Sequence, residues 1–134
     1  MKQNLATQRT LKALRNDGWL VVVAERWNPY ARKRQDLFGW IDLVAIKPGV
    51  GIMGVQVCTQ SFSAHMKKYA QAELLDAIRS WRNSGGLAQL WVWRRAVKKG
   101  KTRATWHCKI YNLEVRDEGL VAEAIDGQCD PEPR

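Results

Sequence analysis

The sequence predicts an α/β domain with a mixed central sheet flanked by helices, in the order α-β-β-β-α-β-β. Three observations predict it. Two segments carry apolar residues at helical spacing, five runs are rich in β-branched and aromatic residues, and the second helix separates two groups of strands. A meander followed by a helical crossover demands a sheet with both antiparallel and parallel neighbours.

Residues 5–16 place Thr7, Leu11 and Leu14 on one helical face, with Gln8, Arg9, Lys12 and Arg15 opposite. Asp17-Gly18 stops that helix. Residues 19–27 read as the first strand, ended by Asn28-Pro29, after which ARKRQ forms a basic loop. Residues 38–47 are the second strand and residues 52–60 the third, joined by the turn Pro48-Gly49-Val50-Gly51 into a hairpin. Ser61 or Ser63 caps a long helix that runs to about Asn83 and ends at Gly85-Gly86. Its apolar stripe is Met66, Ala70, Leu74, Ala77, Ile78 and Trp81. Residues 87–94 and 104–115 supply two more strands around a cationic loop, AVKKGKTR. Trp91 and Trp93 share a strand face and are assigned, with Trp81, to the core.

The chain has 134 residues, 46% hydrophobic and 26% charged, which fits one globular domain. No repeat, linker or low-complexity tract divides it. Residues 1–115 are read as the domain and residues 116–134 as an acidic tail, part of it expected to be disordered. No apolar run nears the roughly 20 residues that span a bilayer. The N-terminal MKQNLATQRT lacks a signal peptide's apolar stretch, so no membrane and a cytoplasmic location are expected. Cys58, Cys108 and Cys129 fit neither a metal-site spacing nor a disulfide framework, and Cys58 by default is a buried thiol.

Net charge is +9, but it is unevenly spread. Residues 114–134 hold seven acids and two arginines, a net of −5, which leaves +14 on residues 1–113. So basic a body points to a polyanion, most economically nucleic acid. Arg32, Lys33 and Arg34, together with Lys98, Lys99, Lys101 and Arg103, form two cationic loops suited to phosphates. Lys68 falls on a polar helix face and joins them. Trp27 and Tyr30 flank the first loop and offer surfaces for stacking a base.

In such a body each retained acid invites a reason. Asp42 interrupts the apolar run GWIDLVAI, and a buried unpaired carboxylate costs several kcal/mol unless a hydrogen-bond partner or a cation meets it. Gln56 lies on the next strand within GVQVC, and Glu25 and Asp36 are the other acids in reach. Such oxygens suit Mg²⁺ or Mn²⁺. Plainer readings stand beside these. Asp42 bonds turn amides, Gln56 is an ordinary half-buried amide, Glu25 pairs with Arg26, and Asp36 caps a turn or pairs with Arg34.

The run Gly39-Trp40-Ile41-Asp42-Leu43-Val44-Ala45, then a turn and Val55-Gln56-Val57-Cys58, resembles the PD-(D/E)XK nuclease superfamily. Within it the likeness is to archaeal Holliday-junction resolvases and small virus-type resolvase-like nucleases, over roughly residues 5–94. The resemblance implies a restriction-endonuclease-like core of order α-β-β-β-α-β. It makes Asp42 the metal-binding aspartate, while Gln56 stands where the family usually has Glu and Cys58 where it has the catalytic lysine. No acid precedes Asp17 to match an early-helix glutamate; Gln3, Gln8 or Glu25 are the substitutes. Some members carry the lysine on the following helix. Here that is Lys67, which at 100° per residue falls between Leu74 and Ile78 and either serves the site or snorkels from the stripe's edge.

The expectation is thus a metal-dependent DNA endonuclease, with Asp42, Gln56, Lys67 and Glu25 catalytic. Asp42, Gln56, Glu25 and Asp36 would hold the metal, and no organic cofactor is implied. Resemblance to resolvases adds a homodimer, branched or junction DNA, and a bacterial or phage-infected host cytoplasm. A non-catalytic DNA-binding module of the same fold and an α+β RNA-binding domain are the rivals.

Overall fold

A computed structural model describes residues 4–59, 61–97 and 99–125. Helix α1 (Leu5–Asn16) leads into β1 (Leu20–Val23), β2 (Arg26–Asn28), β3 (Lys33–Gln35), β4 (Leu43–Lys47) and β5 (Gly51–Thr59). Helices α2 (Phe62–Tyr69) and α3 (Ala72–Asn83) follow, then β6 (Leu87–Val97), β7 (Ala104–Arg116) and β8 (Gly119–Ala124). The main sheet runs β1-β4-β5-β6-β7-β8, and β2 and β3 form a separate ribbon. Among the described residues only β5 and β6 pair in parallel, because a helical crossover joins them while turns or the short ribbon join the others. The α/β class and the mixed sheet therefore stand as expected.

Alternation along the strands sorts the apolar residues onto two faces. Leu43, Ala45, Met53, Val55, Trp91, Trp93 and Ile110 meet Ala6, Leu11 and Leu14 of α1. Cys58, Leu90, Val92 and Leu113 face the other way, with Trp40, Ile41, Tyr69 and Ile78. The first helix is as read: Thr7, Leu11 and Leu14 are buried, and Asn4 caps it by accepting from the Thr7 amide at 2.8 Å. Thr10 adds a fully buried hydroxyl, which accepts from the Trp93 indole at 2.8 Å and donates to the Ala6 carbonyl at 2.7 Å.

Four expectations change. The long helix is two, because the chain breaks at Ala70 and Gln71, where Gln71 is extended (φ −68°, ψ 138°). Nine residues at 100° each put Tyr69 and Ile78 on opposite sides of one continuous helix. Broken, the segment buries both completely. The same break turns Lys67 outward, and it is exposed rather than on the apolar stripe. Ala70 is likewise exposed.

The first strand ends at Val23, and the chain then leaves the sheet to make the β2–β3 ribbon. The expected basic loop is therefore half strand: its turn is built on Asn28, whose side-chain oxygen accepts from the Tyr30 and Ala31 amides at 2.9 and 3.2 Å. The second strand starts only at Leu43, since residues 36–41 fold as turns through Phe38 (φ +55°) and Gly39 (φ +82°). Asp42 thus stands at a strand's entry, not its middle. Finally, residues 119–124 of the acidic segment form β8, with Leu120 and Ala122 packed against the second core. Residues 126–134, with Cys129 and the last acids, lie outside the described residues.

No helix among the described residues is long and apolar enough to cross a membrane.

Candidate functional site

Hairpin geometry brings separate segments to one end of the sheet. Val23, the last residue of β1, pairs with Leu43, the first of β4, and Leu43 pairs with Val55 at the centre of β5. Glu25 follows β1, Asp36 follows β3, and Asp42 precedes β4, so all three emerge at this end. Carboxylate oxygens of the three lie within 4.8 Å of one another. Asp42 is 8% exposed, and its Oδ2 accepts the Val57 backbone N–H at 2.8 Å. Main-chain bonds pin it as well: its amide donates to the Val55 carbonyl at 2.9 Å, and its carbonyl accepts from the Ala24 amide at 2.8 Å.

Gln56, 3% exposed, links the acids to the helical layer. Its Nε2 donates to Asp36 Oδ2 at 3.0 Å, and its Oε1 accepts from the Tyr69 hydroxyl. Arg34, from β3, donates to Glu25 Oε1 at 2.6 Å, and both side chains are partly covered. The pairing is neither of those considered from sequence: Glu25 takes Arg34 rather than Arg26, and Asp36 takes Gln56 rather than Arg34. Adjacent residues on a strand point to opposite faces, whereas the β2–β3 ribbon folds Arg34 back beside Glu25.

Electrostatics follow from crowding like charges in a dry place. Burial, then the hydrogen bond and charge of Asp36, push the Asp42 carboxyl from 3.8 up to about 9; the Val57 N–H opposes this and Glu25 adds to it. Burial beside Asp36 thus favours the protonated form of the Asp42 carboxyl. Burial raises the Tyr69 phenol too, with Cys58, Asp42 and Asp36 nearby adding to the shift. The Cys58 thiol is pushed up by burial despite hydrogen bonds from Ser61 that pull it down, so it stays a thiol and a poor nucleophile.

Four of the sequence-derived site residues, Glu25, Asp36, Asp42 and Gln56, thus meet in one place. Lys67 does not join them: among the described residues no hydrogen bond or ion pair ties it to the acids, and it is exposed on α2, as is Lys68. Arg32 and Lys33 are exposed at the ribbon's turn, while Arg34 is half-buried in its ion pair. Lys99, Lys101 and Arg103 are exposed in the β6–β7 turn, and Lys98 lies outside the described residues. Trp27 and Tyr30 are exposed at the ribbon. His65 contacts Ser61 and its ring lies 6.0 Å from that of Tyr69, while His107 contacts Thr105. Sequence reasoning missed Tyr69 and the Arg34–Glu25 pair. No glycine or proline marks the helix break that delivers Tyr69, so periodicity alone could not have found it.

Comparisons of the chain with protein-family models, curated proteins and solved structures find no match.

Proposed function

We propose that the protein is a metal-dependent DNA endonuclease with Asp42, Asp36 and Glu25 at its centre and Mg²⁺ or Mn²⁺ as cofactor. The observation that carries this reading is the convergence of three carboxylates from three segments, one of them nearly buried, in a chain of net charge +9. A body selected only to attract phosphate gains nothing from concentrating acids. A cation resolves the conflict. It would take the place of the proton that Asp42 now holds, and the donors are all hard oxygens.

The path through α1, β1, β4, β5, the paired helices and β6 is compatible with a restriction-endonuclease-like core, with the β2–β3 ribbon as an insertion. On this reading the bound metal supplies Lewis-acid polarisation of the phosphodiester and a lowered pKa for attacking water. The chain's own residues do the rest. Asp42 is fixed by the Val57 N–H, and Asp36 by Gln56, whose own amide is fixed by Tyr69. Gln56 now turns its nitrogen toward the acids. Turning the amide over would present its oxygen to a cation and its NH₂ to Tyr69, since a phenol accepts as well as donates. Arg34 brings a fixed positive charge to the edge of the acids and offsets Glu25. Lys67, Lys68 and the exposed turns 32–33 and 99–103 would contact the DNA backbone.

Topology supports the same partner. The β6–β7 turn lies at the end of the sheet that carries the acids, the ribbon leaves the sheet at that same end, and both turns are cationic. A second reading, a DNA-binding module without catalysis, is favoured by Cys58 at the position where the resemblance calls for lysine. Branched-DNA preference and a homodimer remain proposals from that resemblance.

Cleavage of labelled linear duplex, single-stranded and four-way-junction DNA with Mg²⁺ or Mn²⁺ separates the two readings. The nuclease reading expects cutting that needs metal and falls at least about 100-fold in Asp42→Ala. Tight binding with no cleavage under either metal establishes the binding module instead.

A further inference from the structure

Beside the acids, on the same face of the sheet, lies a second feature that the sequence reading did not contain. A groove of about 660 Å³ opens where α2 begins, above the C-terminal half of β6 and the middle of β7. Ser61, Phe62 and Ser63 form one wall, and Arg94, Lys109 and Tyr111 the other. Register explains the second wall: Val92 pairs with Lys109 and Leu90 with Tyr111, so Val92, Arg94, Lys109 and Tyr111 point to the α2 side. Arg94 and Lys109 are exposed, and no acid is among the described residues lining the groove.

Its chemistry is mixed in a particular way. The Phe62 and Tyr111 rings lie 4.5 Å apart at 32°, giving an apolar floor. Lys109 Nζ sits 5.5 Å above the Tyr111 ring, so a cation stands over that floor. The Ser61 hydroxyl is taken by His65 Nδ1 at 3.3 Å, whereas Ser63 is exposed, and the first turn of α2 holds no acid. Cations beside aromatic rings, with the exposed Ser63 opposite, match a sugar–phosphate chain.

Position relates the groove to the acids. Gln56 pairs with Leu90 and Leu90 with Tyr111, so the Lys109 and Tyr111 wall lies two strands from the site, with Val92 and Arg94 on the strand between. At about 4.8 Å per strand that is roughly 10 Å, or about three nucleotides at 3.4 Å of rise each.

We propose that this groove is a DNA-backbone subsite in which Arg94 and Lys109 hold phosphates about three nucleotides from the scissile bond. The proposal rests on the nuclease reading for its placement relative to cleavage, but its binding is read without catalysis. The test is fluorescence-anisotropy titration of labelled single-stranded and duplex DNA in EDTA, from 50 to 300 mM salt. It compares the full chain with Arg94→Ala/Lys109→Ala and with Lys12→Ala/Arg15→Ala, which removes the same charge from α1 on the opposite face. All four side chains are exposed, so folding is retained, and thermal melts check it.

The groove variant is expected to bind at least tenfold more weakly at 150 mM salt. Its log–log salt slope should fall by about 2 on duplex and somewhat less on single strands, with the α1 variant changed less than threefold. Equal effects in the two variants overturn the groove, and so does a wild type that binds neither DNA. A groove variant that loses binding, in a protein whose wild type never cuts, leaves the groove standing and removes the nuclease reading. Intact binding in the groove variant beside metal-dependent cleavage removes the groove and keeps the nuclease.

Discussion

The two faces of the sheet each bury polar groups, but they settle them differently. Under α1, the Thr10 hydroxyl accepts from the Trp93 indole and donates its own hydrogen bond to the Ala6 carbonyl, all neutral groups. Across the sheet, Asp42, Asp36 and Glu25 oppose like charges, with one guanidinium at the edge and a retained proton as compensation. The first arrangement is complete as it stands and serves only packing. The second is costly in the absence of a cation, and the proposed metal would offset that cost. Buried polarity alone therefore says little, and the sign of the neighbouring charge says more.

The largest test of that contrast is pH. The folded Asp42 value of about 9 lies above the ordinary 3.8, so the folded state holds a proton that the unfolded chain releases. The stability this proton contributes is full below about pH 4 and is lost as pH rises toward 9, by at most about 1.4 kcal/mol per pH unit. Thermal melts across that range should show the decline, Asp42→Asn should remove it, and Mg²⁺ or Mn²⁺ at pH 8 should raise the wild-type Tm but not that of Asp42→Asn. A flat wild-type profile, or equal metal stabilisation of both proteins, would break the contrast between the faces.

Next in size is Thr10→Val, which keeps the shape and strands the Trp93 indole N–H without an acceptor. A loss of about 1–3 kcal/mol is expected from denaturant titration, the same at pH 5 and pH 8 and insensitive to metal. A loss that changes with pH would show that the α1 face is coupled to the acids after all.

The smallest expected change comes from Tyr69→Phe, which deletes the hydroxyl that holds Gln56. Stability should fall by about 1 kcal/mol with the pH decline intact, because Asp42 is untouched. Metal-dependent cleavage should fall roughly tenfold, as for other groups that orient a ligand. Full cleavage in this variant would reduce Tyr69 to a core residue.

Much of this was legible from local pattern. The α1 stripe, the hairpin around residues 48–51 and the inward Trp91 and Trp93 follow from periods of 3.6 and 2, which each segment carries within itself. Asp42 and Gln56 were visible as polar residues in apolar runs. β8 was less so, since the charges of the tail drew notice from Gly119-Leu120 and Ala122, a hairpin turn and an alternating face.

What the sequence determined by itself was the class of fold, the basic body and the identities of the four polar residues that meet. Tertiary structure alone decided how they are paired. The β2–β3 ribbon set Arg34 against Glu25, and the break at Ala70 and Gln71 replaced Lys67 with Tyr69 beneath the helix. Both outcomes depend on where the chain turns between elements. Those turns are chosen by the burial of Tyr69 and Ile78 together and by pairing across the ribbon, interactions between residues that no short window contains.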